Sequence, residues 1–89
     1  MKMKVSNLES SRGNTVPNQF EIRTDEGVFF QSYNSMICFV PRVGKTLLDE
    51  TYWNYSKTTS KYRSIFLGEP TFETKKRIED GTYLLTNLN

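Results

Sequence analysis

At 89 residues the chain can bury one hydrophobic core and not two. Its lack of histidine, its single cysteine and its formal charge of +2 exclude imidazole acid–base chemistry, the usual zinc ligand sets, an internal disulfide, and a polyanion binder marked by net charge alone. No apolar run approaches the ~18–20 residues of a membrane span, and Met1-Lys2-Met3-Lys4-Val5 lacks the apolar stretch of a signal peptide, so a cytosolic protein with no membrane contact is expected.

Met1, Met3 and Val5 alternate with Lys2 and Lys4, the period of a short strand with one wet face. Ser10 to Thr15 are polar and rich in turn formers, and Pro17 follows; this predicts a loop over 10–17 and leaves residues 1–17 as a loosely attached segment. Phe20 and Ile22 alternate with Glu21 and Arg23, Asp25-Glu26-Gly27 offers a tight reversal whose glycine can take positive φ, and Val28-Phe29-Phe30 resumes the extended pattern. Together they read as a β-hairpin. Met36 to Val40 forms a further strand ended by Pro41, which cannot donate to a ladder, and Val43-Gly44 turns the chain into Lys45-Thr46-Leu47-Leu48.

From Ser56 the period lengthens. Tyr62, Ile65 and Phe66 stand at i, i+3 and i+4 behind Ser and Thr cap candidates, and Gly68 follows as a stop, which predicts a helix over 58–67. Pro70-Thr71 opens a second helix in which Thr71 can cap, Glu73 suits the positive end of the dipole, and Gly81 closes. Only Phe72 and Ile78 furnish its apolar face, so it is expected on the surface. Tyr83-Leu84-Leu85 reads as a last strand. This order predicts an α+β domain, a small antiparallel β-sheet with two short helices packed on one face. Alanine is absent, and six Phe, five Tyr and one Trp supply much of the bulk for the core. Few, large side chains in so short a chain give modest stability, which a homodimer would raise.

The residues that could carry chemistry are sparse. Cys38 lies inside Met36-Ile37-Cys38-Phe39-Val40 and reads as a core thiol rather than a nucleophile. The acidic pairs Asp49-Glu50 and Glu79-Asp80 lack the alternating oxygen ligands of a calcium loop. Gly44-Lys45-Thr46 matches the end of a phosphate-binding loop, but Phe39 occupies the position where that motif requires glycine. No cofactor and no catalytic residue are therefore expected.

More informative is the stretch from Thr51 to Arg77, where aromatic residues interleave with cations. Between 57 and 77, six positive and two negative side chains leave +4. Tyr52, Trp53, Tyr55, Lys57, Lys61, Tyr62 and Arg63 combine the residue types that anchor protein interfaces, and the same types stack on bases and neutralise phosphates. The bland alternative is that Trp53, Tyr62 and Phe66 form core while the cations keep the helices soluble. Two helices around Gly68-Glu69-Pro70 also suggest a helix-turn-helix that would place Thr71, Thr74, Lys75, Lys76 and Arg77 toward a nucleic acid, although the usual third helix is missing.

Four segments carry a resemblance: Phe30-Gln31-Ser32-Tyr33-Asn34-Ser35, the run Tyr52 to Arg63, Phe66-Leu67-Gly68-Glu69, and Gly81 to Asn89. They resemble a family of small uncharacterised phage and prophage proteins over roughly residues 18–89. The resemblance implies a phage origin and no activity that transfers residue by residue. Small phage proteins without catalytic machinery often occupy a host protein, defence nucleases included, as anti-CRISPR proteins do. The leading expectation is thus a non-enzymatic inhibitor or modulator that docks on a bacterial host protein such as a CRISPR effector, in the host cytoplasm. The alternative is a phage accessory or regulatory protein that binds DNA or RNA through 57–77.

Overall fold

In the computed structural model, which describes residues 2–89, the extended segments pair in the order in which they occur. They are β1 (Met3–Glu9), β2 (Thr15–Thr24), β3 (Gly27–Ser32), β4 (Ser35–Pro41) and β5 (Leu47–Asp49), joined as an antiparallel meander. Two helices follow, α1 (Lys57–Leu67) and α2 (Thr71–Glu79), and β6 (Leu84–Thr86) then returns beside β5. The α+β arrangement is the one expected, with one difference: β6 runs parallel to β5. A parallel neighbour needs a crossover, and the two helices provide it. Met1, part of the expected first strand, lies outside the described residues.

Antiparallel partners share a face and neighbours along a strand do not, so the register sorts the sheet into two surfaces. Phe30, Cys38 and Leu48 are cross-strand partners, are fully buried, and form the core with Ile37 and Leu8. Phe30 stacks on Phe66 of α1 at 5.6 Å, and the Ser32 hydroxyl meets that of Thr59 at 3.2 Å, so this face carries the helices. Ile37 is the extra residue of a bulge where β4 shifts register between the partners of Phe30 and Gln31. Of the twelve aromatic residues only Phe30 is fully buried; the rest lie at the rim of the core or on the surface.

Three local features depart from the expected pattern. The loop over 10–17 is confined to 10–14, because Thr15 already pairs with Glu9 and Pro17 sits inside β2. Proline is tolerated there since the ladder is interrupted: the register shifts between Asn7 and Glu9, and Asn18 takes φ 64°. Gly27 is required less by the turn than by contact, since a Cβ would lie 2.3 Å from the Val40 carbonyl oxygen and 2.7 Å from Pro41 Cα.

Helix α1 spans nearly the expected residues, with the Ser56 hydroxyl accepting from the Thr59 N–H and Gly68 closing it at φ 71°. Its buried stripe, however, is Thr59, Tyr62, Arg63, Phe66 and Leu67, the i, i+3, i+4, i+7, i+8 set, and Ile65 is turned to solvent at 44% exposure. In α2 Thr74 and Ile78 face inward while Phe72 is 67% exposed. Pro70, not the expected Thr71, holds the cap position, and its hydrocarbon ring supplies no side-chain bond; Thr71 lies inside the helix with its hydroxyl accepting from Arg63.

Candidate functional site

The segment from β5 to β6 is held by three polar residues, and their bonds decide which neighbours remain available to a partner. Asp49 ends β5 and is 1% exposed. One carboxylate oxygen accepts from the Thr51 and Tyr52 N–H groups at 3.0 and 2.9 Å, and the other accepts from the Leu88 N–H at 2.8 Å. Burial opposes its ionisation, but the donors from Leu88, Tyr52, Asn89 and Thr51 outweigh it and hold the carboxyl below the usual aspartate range. The same residue therefore folds the chain into the 50–56 turns and anchors the end of the chain after β6 beside them.

Arg63 is the largest fully buried side chain. Its guanidinium donates to the Trp53 carbonyl oxygen, to Asn54 Oδ1 at 3.2 Å and to the Thr71 hydroxyl at 2.7 Å, and its plane lies over the Trp53 ring at 5.1 Å. Desolvation lowers its pKa, opposed by the Glu69 carboxylate. No carboxylate comes within ion-pair distance of it among the described residues, and Nε has no hydrogen-bond partner. This arginine is a staple that fastens the 53–54 loop and the start of α2 to α1. Beneath it, burial pushes the Cys38 thiol up so that it stays protonated.

Glu69, in the interhelical turn, accepts from the Thr74 hydroxyl at 2.6 Å and the Tyr83 hydroxyl at 2.7 Å. Arg77 Nε stands 3.2 Å from the same carboxylate, close enough for an ion pair but off the line of a hydrogen bond. Burial, followed by the bond to Glu69, raises the Tyr83 phenol to about 12.

Of the seven residues expected to meet a protein partner, Tyr52, Trp53 and Tyr62 pack against the core and Arg63 is buried. Tyr55, Lys57 and Lys61 remain on the surface. Among the nucleic-acid candidates, Thr71 and Thr74 are spent on Arg63 and Glu69, and Arg77 pairs with Glu69 and Glu73. Lys75 and Lys76 are exposed.

Two outward residues escaped the sequence reading. Lys57, Lys61 and Ile65 recur at i, i+4 and i+8, which aligns them as one ridge of α1, and Phe72 protrudes from the first turn of α2. The signal that could have found them is the fuller helical stripe: with positions 59, 62, 63, 66 and 67 assigned inward, 57, 61 and 65 fall outward.

The profile of a protein family described as a family of unknown function, DUF8033, matches residues 3–82. That match takes in most of the first seventeen residues, which the resemblance to phage proteins left unplaced. No curated protein and no solved structure matches the chain. Since the matched residues run from β1 through α2 and up to the turn before β6, the protein belongs to the family of unknown function DUF8033.

Proposed function

We propose that this chain is a non-catalytic protein-binding domain, a phage-encoded inhibitor or modulator that occupies a bacterial host protein such as a defence nuclease in the host cytoplasm. The observation that carries it is the exposed residues of the helix pair: Phe72 at 67% exposure on α2, and Tyr55, Lys57, Lys61 and Ile65 before and along α1. Protruding aromatic and aliphatic side chains among cations are the residue types that anchor protein interfaces, which supports this reading. Affinity capture from a bacterial lysate with the wild-type chain, compared with a Phe72→Ser/Ile65→Ser double variant, tests it. One retained protein lost at least about tenfold in the variant, together with improved plaquing on defended hosts, is the expected result; equal capture by both chains overturns it.

A second reading, binding to DNA or RNA, is favoured by Lys57, Lys61, Lys75 and Lys76, which are exposed and outside every ion pair among the described residues. Phosphate neutralisation releases counterions, so affinity would fall steeply between low and high salt, and a Lys75→Glu/Lys76→Glu chain would show a flatter slope. A gel shift at two salt concentrations separates this reading from the first.

A further inference from the structure

The face of the sheet opposite the helices carries a continuous apolar row with one residue from every strand. Val5 pairs with Ile22, Ile22 with Phe29, Phe29 with Phe39, Phe39 with Leu47, and Leu47 with Leu84. Phe29 and Phe39 stack at 4.2 Å. Phe30, the neighbour of Phe29 along β3, points to the helices, so this row points away from them. Its ends are open, with Val5 at 56% and Leu84 at 44% exposure, and its middle is only partly covered. The cross-strand row on one side runs Met3, Thr24, Gly27 and Pro41, and that on the other begins Asn7, Phe20 and Gln31. None of these positions is ionisable; Asp49, two residues beyond Leu47, shares the face but is 1% exposed and bonded within the fold to the Thr51, Tyr52 and Leu88 N–H groups.

We infer that this face binds the same face of a second copy, so that two sheets pack back to back with both helix pairs outside. Charge favours this face over the helical one for pairing with its own kind. In a two-fold interface every patch meets its own kind, and like charges brought together oppose association. The sheet face, without an exposed charge in these rows, is free of that penalty, whereas the helical side carries Lys57, Lys61, Lys75 and Lys76.

Area points the same way. A central row across six strands about 4.8 Å apart, with shorter rows beside it, offers on the order of 400–500 Å² per copy, so a pair covers about 800–1,000 Å², short of a standard-size interface and in the range of weak, transient ones. That fits a reversible dimer. Stacked sheets sit ~10 Å apart, a gap that the stacked Phe29 and Phe39 and their neighbours can fill from both sides. The small core of one copy, five buried apolar residues among those described, gains a second layer.

Sedimentation velocity on the 89-residue chain across a concentration series, with Val5→Lys and Leu84→Lys beside it, tests the inference. Both sites are exposed in the single chain, so the variants should keep the wild-type circular dichroism and melting midpoint measured at a concentration too low for association. The expected result is a mass that rises from one chain toward two in the wild type, with self-association weakened about tenfold or more in either variant. A one-chain mass at every concentration overturns the inference and leaves the face to a different protein. Equal two-chain masses in wild type and variants also overturn it and place the dimer contact elsewhere. Because Phe72 and Ile65 lie on the helices and Val5 and Leu84 on the sheet, loss of dimerisation and loss of host-protein capture are separate outcomes.

Discussion

The heaviest structural demands fall on residues whose type alone suggests a solvated surface. Arg63 sits among Lys57, Lys61 and Tyr62 in sequence, and a cation in such company ordinarily lies in water; only the i, i+4 spacing from Thr59 to Arg63 to Leu67 reveals that it shares the inward stripe. Replacing it with Leu should destabilise the fold by about 3 kcal/mol or more, because the Trp53 carbonyl, Asn54 and the Thr71 hydroxyl all lose a donor. Urea denaturation reads that out. Gly27→Ala should also cost about 2 kcal/mol or more, with no loss of polar contacts, since the new methyl meets backbone atoms of Val40 and Pro41 that cannot move aside. Tyr33 holds φ 54° at the tip of the β3–β4 hairpin while 52% exposed, so Tyr33→Asn should stabilise the chain by about 0.5–1 kcal/mol in a thermal melt.

At the scale of elements, the meander and α1 were legible in the sequence because each has its own local signal: period-2 runs cut by Asp25-Glu26-Gly27, and a serine cap with a glycine stop around a period of 3.6. The cap is testable, since Ser56→Ala removes the acceptor for the Thr59 N–H and should cost about 1 kcal/mol. What could not be read was the closure of the sheet. Strand β6 has three residues, and its pairing with β5 depends on Asp49 reaching Leu88 across 39 positions and on Asn89 pairing through its side-chain amide with both backbone groups of Met36. Contacts so distant leave no periodic trace. The outward surface is half legible: composition points to Tyr55, Lys57 and Lys61, whereas Ile65 and Phe72 read as members of apolar faces because neither helix has enough large apolar residues to mark its inner stripe.

For the whole molecule, the pH limits of stability follow from two of the anchoring groups. Asp49 has a folded pKa below its unfolded value near ~3.9, so its contribution is complete above that value and is lost as pH falls through the lower folded pKa. Tyr83 has a folded pKa raised to about 12 from 10.0, so the folded state holds the proton more tightly; its contribution is complete below pH 10 and is lost as pH rises toward 12. An alkaline unfolding series should therefore show a loss in the wild type between those limits that is smaller in Tyr83→Phe, with tyrosinate absorbance marking the ionisation. Strand β1 behaves differently from the central strands β3 and β4. It pairs with β2 alone and is exposed at every residue except Leu8, so its amides should exchange with deuterium through local opening well before those of β3 and β4. A ribbon that peels and re-zips on its own gives the sheet a soft margin beside a firm centre, and any assembly that grips both will slow the exchange of the margin far more than that of the centre.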